Sequence, residues 1–214
     1  MPYGYLGQNQ PNQTVSNSGV FSITDVAELQ SQGKLGGSLE LIEEQTVTST
    51  TATLDFTSIQ ENKYDVHLLQ YKGFIPENDA VRLVLRFYEN GVLETASVYQ
   101  FANQLMRVTG TFTEPKSTGN AHIRLGTNVP NDVSSASDNG YIYIYNAGNS
   151  SKYTFATIQT TGIYYGDNQG AMEFGGGVLP QASLVNGFQL SGYSSGGIEN
   201  IETKLFGVKQ IWVT

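Results

Sequence analysis

From residue 35 onward, apolar positions recur in short alternating or continuous runs separated by glycine, asparagine, aspartate and serine, the spacing of β-strands joined by tight turns. The runs predict strands near residues 38–48, 52–57, 62–71, 80–89, 92–101, 106–113, 119–125, 140–146, 151–160, 170–178, 186–193 and 201–213. Alternation is clearest from Val81 to Phe87: Val81, Leu83, Leu85 and Phe87 share one face, and Arg82, Val84 and Arg86 share the other. Phe188 and Leu190 share a face near the C-terminus, and Leu205, Gly207 and Lys209 alternate there with Phe206 and Val208. Glu89-Asn90-Gly91 suits a type I′ hairpin because both central residues tolerate positive φ, and Asp138-Asn139-Gly140 and Ala147-Gly148-Asn149 resemble it. No residue-level repeat is visible, which disfavours a solenoid or propeller.

The first twenty residues break this pattern. Pro2, Gly4, Gly7, Pro11 and Gly19 lie among glutamines and asparagines, with too few apolar side chains to offset the entropy of ordering. Two readings fit, a floppy terminus or an attachment arm in which Tyr3, Tyr5 and Leu6 fill pockets on another subunit. Fully extended at about 3.3 Å per residue, such an arm reaches on the order of 65 Å. Residues 22–33 carry the only helix signal: Asp25 as a cap with Glu28 three residues on, Val26 and Leu29 on one face, and Gly33 at the exit. The expected organisation is an N-terminal attachment arm with a short helix over 1–34 and a body over 35–214, all-β and antiparallel, with the strand spacing of a sandwich or a barrel.

Composition narrows the function. Only 14% of residues are charged and the formal net charge is −8, which opposes a phosphate backbone, so nucleic acid is not an expected partner. The chain has no cysteine, which removes disulfides, thiolate zinc sites and a cysteine nucleophile. No run approaches the roughly 18 apolar residues of a membrane-spanning helix. Nor does the N-terminus show a basic segment followed by an apolar one, so synthesis in a cytoplasm without membrane insertion is expected.

Candidate chemistry is sparse. His67 and His122 lack the spacing of metal ligands and read as packed or surface histidines. No serine stands in a GxSxG elbow, and Glu43 and Glu44 are adjacent on a strand, so they point to opposite faces rather than across a cleft. Phe174-Gly175-Gly176-Gly177-Val178-Leu179-Pro180 lacks the lysine and helix of a phosphate cradle and reads as a strand exit or bulge with another backbone close by. Asp132, Asp138, Asn139, Asp167 and Asn168 offer loop oxygens to calcium without an EF-hand spacing. No catalytic residue, metal or cofactor is therefore expected. The most suggestive surface feature is Tyr141-Ile142-Tyr143-Ile144-Tyr145: three tyrosines on one face of a strand form a flat apolar stripe with polar tips, suited to a glycan or a protein. The competing reading is packing between two sheets or against a loop. Tyr164 and Tyr165 are candidates to extend that surface.

The chain resembles structural proteins of marine tailed bacteriophages, described as tail-fibre-like. The resemblance rests on Tyr5-Leu6-Gly7-Gln8, on residues 32–42 and 61–70, on Gly140-Tyr141-Ile142-Tyr143, Asn149-Ser150-Ser151-Lys152-Tyr153 and Gly175-Gly176-Gly177-Val178-Leu179-Pro180, and on Lys204-Leu205-Phe206-Gly207-Val208-Lys209. None of these is a catalytic motif. The resemblance implies an antiparallel jelly-roll-like β-sandwich in a non-enzymatic virion protein made in the host cytoplasm, a fibre held by its N-terminal arm or a capsid decoration or head fibre. Its implied partners are other virion proteins, further copies of itself and, in the binding-module reading, a host surface glycan.

Overall fold

A computed structural model of the chain describes residues 23–24, 26–27, 38–131 and 136–209. It divides into two compact units, residues 1–40 and 41–214. In the first, the described residues Ile23, Thr24, Val26 and Ala27 are α-helical. The helix already includes Ile23 and Thr24, upstream of the capping position expected at residue 25. Tyr3, Tyr5 and Leu6, proposed as anchors of an arm, lie outside the described residues.

Among the described residues the body has fourteen strands: β1 (Leu39–Val47), β2 (Thr53–Phe56), β3 (Val66–Pro76), β4 (Leu83–Glu89), β5 (Val92–Leu93), β6 (Tyr99–Arg107), β7 (Phe112–Thr113), β8 (Lys116–Asn120), β9 (Ile123–Arg124), β10 (Asp138–Tyr145), β11 (Thr154–Tyr164), β12 (Gln169–Leu179), β13 (Val185–Gly192) and β14 (Ile198–Val208). They form two open sheets, and every described register is antiparallel. The larger has nine strands in the order β1-β14-β3-β10-β11-β12-β6-β7, with β8 also on β6; the smaller has five in the order β2-β13-β4-β5, with β9 also on β4. The fold is thus an all-β sandwich.

Period-two patterning determines which side chains fill the space between the sheets. Leu83, Leu85 and Phe87 of β4, Leu54 and Phe56 of β2, and Phe188 and Leu190 of β13 point inward from the small sheet. Leu69, Ile142, Ile144, Ile158, Leu179 and Leu205 meet them from the large one. Phe56 and Phe188 stack with ring centroids 4.6 Å apart, fixing the β2–β13 register from the side-chain layer. The hairpin at Asn90-Gly91 has both residues at positive φ, 51° and 82°, as the type I′ turn requires.

Several expected elements come out differently, among them the run 106–113, which ends β6 at Arg107 and resumes as β7 at Phe112. Residues 92–101 are not one strand: β5 belongs to the small sheet and β6 to the large one, and the chain changes layers between them. The Tyr99 hydroxyl holds that crossing, accepting from the Phe87 amide at 2.8 Å and donating to the Glu94 carbonyl at 3.1 Å. The run 119–125 likewise divides between β8 in the large sheet and β9 in the small one. The strand expected at 62–71 begins only at Val66, because Gln60 adopts positive φ and its carbonyl accepts from the Lys63 and Tyr64 amides in a turn. Asp138-Asn139-Gly140, expected as a hairpin turn, is the start of β10; a register shift separates Asp138 from Gly140, and the Asn139 side-chain Oδ1 accepts the Gly73 backbone N–H across it at 2.8 Å.

Candidate functional site

In β10 the isoleucines and tyrosines part company. Ile142 and Ile144 enter the core, so Tyr141, Tyr143 and Tyr145 occupy the opposite face of the large sheet, turned away from the small sheet. Packing between the sheets is thereby excluded for the stripe. The rings form a ladder: Tyr141 meets Tyr143 edge-on at 5.9 Å, and Tyr143 stacks on Tyr145 at 6.3 Å. Their hydroxyls reach across to β11, where the Tyr141 hydroxyl donates to Gln159 Oε1 at 2.6 Å and the Tyr145 hydroxyl pairs with Thr157 Oγ1 at 3.1 Å. These cross-strand bonds hold the rings over the neighbouring strand.

The register extends the apolar character sideways. Tyr145 pairs with Phe155, and Tyr141 pairs with Gln159, which in turn pairs with Phe174 of β12. Tyr141 is 38% exposed, Phe155 44%, Phe174 48% and Met172 49%, all on this outer face. So much exposed aromatic and apolar surface in one place is not needed by the core. Shallow grooves flank the ladder. One, of about 630 Å³, lies beside Tyr141, between Gln70, Thr161 and Met172. The other, of about 790 Å³, lies beside Phe155 over Gly176 and Ala102.

The glycine run explains the second groove. It is not a strand exit but the interior of β12, paired on both sides by β11 and β6. The expected close approach of another backbone is present: a Cβ on Gly176 would sit 2.6 Å from the Ala156 carbonyl oxygen. Tyr164 and Tyr165 line neither groove; the Arg107 guanidinium lies 4.6 Å over the Tyr164 ring, and Tyr165 lines a separate depression with Asp79 and Asn131.

Sequence reasoning missed Phe155, Met172 and Phe174. The signal was present in Ala171-Met172-Glu173-Phe174, where alternation forces a choice of face. Apolar patterning alone would bury Met172 and Phe174 and expose Glu173. The protein does the reverse, because Arg124 and Asn103 wait for the carboxylate inside: Arg124 Nε and Nη2 donate to its two oxygens at 2.8 and 2.9 Å, and Asn103 Nδ2 donates to Oε1 at 2.7 Å.

The remaining candidates are held by packing and by protein partners. His67 is buried with Nε2 2.8 Å from the Ile59 carbonyl, and burial lowers its pKa. His122 packs against the Tyr193 ring; burial, with Arg86 and Arg82 nearby, pulls it down to about 4, so it is neutral at physiological pH. Glu43 accepts from the Gln45 amide, and Glu44 lies 3.5 Å from Lys204, so no carboxylate pair faces a cleft there.

Of the carboxylates considered for calcium, the two described ones each have a protein partner. Asp138 is buried and accepts the Tyr71 hydroxyl at 2.8 Å, and Asp167 lies 3.0 Å from Arg107; Asp132 is outside the described residues. Among the described residues no group of three His, Cys, Asp or Glu side chains is placed to hold a metal. Millimolar calcium is expected to leave the thermal midpoint unchanged in a melting scan, and a rise of several degrees would contradict these assignments. Compared with protein-family models, with curated proteins and with solved structures, the chain matches none.

Proposed function

We propose that the chain is a non-catalytic structural component of a tailed-phage virion, fixed to the particle through its N-terminal arm and presenting the outer face of its nine-stranded sheet to glycans of the host surface. The observation that supports this reading is the tyrosine ladder with its exposed neighbours Phe155, Phe174 and Met172, an aromatic surface that the core does not use. Tyrosine combines a flat apolar face with a polar rim, which suits the two-sided character of a sugar ring, and its few rotatable bonds keep the entropic cost of contact low.

Two variants separate attachment from contact. A chain lacking residues 1–21 is expected to fold with an unchanged thermal midpoint and to be absent from purified particles; normal incorporation would contradict the tether. Replacing Tyr141, Tyr143 and Tyr145 together by Ala should leave particles complete while reducing adsorption to host cells, and unchanged adsorption would remove the proposed contact face.

A further inference from the structure

The groove beside Tyr141 is bounded by two rows of side chains that cross the strands. Register places Lys204, Gln70, Tyr141, Gln159 and Phe174 in one row, on β14, β3, β10, β11 and β12. Glu202 with Lys72, and Thr161 with Met172, form the other. The groove therefore runs perpendicular to the strands, and four interstrand spacings of about 4.8 Å carry it roughly 19 Å across the sheet. A trough of that length takes a few consecutive units of a linear polymer.

Its chemistry is that of a sugar subsite. Tyr141 supplies a ring already fixed by its bond to Gln159 and by the edge of Tyr143, so little freedom remains to be lost on binding. The exposed Gln70 amide and Thr161 hydroxyl make no hydrogen bond to other described residues and are available to ligand hydroxyls. Strands β3, β10, β11 and β12 are paired on both sides, so the groove offers no free backbone edge to an added strand, and recognition falls to side chains.

Charge selects among sugars. Lys72 Nζ lies 2.8 Å from Glu202 Oε2, and Lys204 Nζ lies 3.5 Å from Glu44 Oε2, so each lysine at the groove stands beside a carboxylate. Among the described residues no arginine lines it. A carboxylated or sulfated polymer would find no unpaired cation there, and the formal charge of −8 on the chain would repel it at longer range.

We propose that this groove is a subsite for an uncharged polysaccharide, stacked on Tyr141 and hydrogen-bonded by Gln70 and Thr161; the assignment rests on the glycan-contact reading above. The test titrates the full-length chain by calorimetry with neutral polymers (dextran, mannan, laminarin, xylan) and with anionic ones (alginate, polygalacturonate, heparin). The expected result is binding to at least one neutral polymer with an affinity indifferent to added salt. Tyr141→Ala should weaken it about tenfold. Thr161→Trp, which plugs the groove from an exposed position, should abolish it, and Gln70→Ala, also exposed, gives a second reading should the tryptophan disturb folding. Ala102→Trp, in the other groove, should leave affinity unchanged.

Binding only to anionic polymers, weakened by salt, would overturn the neutral assignment while leaving glycan contact standing. Loss of affinity in Ala102→Trp, with none in Tyr141→Ala or Gln70→Ala, would move the subsite to the Phe155 groove and overturn this placement. Failure to bind any polymer of either kind would remove the glycan reading itself.

Discussion

Arg124→Met is expected to destabilise the body by about 3–5 kcal/mol in urea unfolding at neutral pH. The Glu173 side chain is wholly buried and Arg124 nearly so, and the guanidinium meets the carboxylate through two parallel hydrogen bonds. Removing the arginine leaves the buried carboxylate without its paired cation, and the Asn103 amide becomes its one hydrogen-bond donor among the described residues. The cost is that of an uncompensated buried charge, not the smaller net worth of the pair. Arg124→Met combined with Glu173→Leu should therefore recover most of the loss, because the double variant retains no charge to desolvate. A loss under about 1 kcal/mol in the single variant would mean that water reaches Glu173. The consequence reaches the surface, since it is the inward turn of Glu173 that obliges Met172 and Phe174 to face outward.

Asp138→Asn should make the protein more stable near pH 8, by an amount that shrinks as the pH is lowered. Asp138 is buried, with Gly126 and Gly162 packed on its carboxyl oxygens, and burial pushes its pKa up to about 8 even though the Tyr71 hydroxyl donating to Oδ2 favours the ionised form. The folded chain thus keeps a proton that the unfolded chain, with this group near 3.8, has released. Wherever the folded state binds more protons, stability falls with rising pH, so the contribution of Asp138 is complete below about pH 4 and is lost between there and about pH 8. The slope is on the order of 1.4 kcal/mol per pH unit. Asparagine can still accept from Tyr71 and does not ionise, so the variant removes this slope. Unfolding free energies of both proteins from pH 5 to pH 9 should converge at the acid end and diverge toward pH 8; parallel curves would show that Asp138 is hydrated.

Much of the sandwich was legible because a sheet buried on one face writes a period of two into its strands. Leu83, Leu85 and Phe87, or Phe188 and Leu190, identify the core from spacing alone, and all five are fully buried. Asn90-Gly91 announced its hairpin because few other pairs adopt two positive φ angles cheaply. The failures occur where the chain leaves one sheet for the other. The run from Val92 to Phe101 reads as one strand, and what divides it is the grip of the Tyr99 hydroxyl on the Glu94 carbonyl within the run and on the Phe87 amide of β4. Asp138-Asn139-Gly140 has turn composition, but Tyr71 and Gly73, more than sixty residues away, supply the partners that hold it as strand.

The candidate site divides the same way. The ladder of Tyr141, Tyr143 and Tyr145 was visible because it lies on a single strand. Its companions Phe155, Phe174 and Met172 come from two further strands, and only the register brings them alongside. Period two tells which side chains share a face, whereas the choice of outward face in β12 and adjacency across strands depend on partners met at long range.

The displayed sheet face can be tested most directly on the particle itself. The chain has no cysteine, so Thr161→Cys, at an exposed position on that face, gives it a single thiol for gold labelling of intact virions, with unsubstituted particles as the control. Electron micrographs should show gold on the exterior of purified particles before any dissociation. Particles without the chain, or particles that take label only after they have been taken apart, would contradict a virion protein that presents this face to its surroundings.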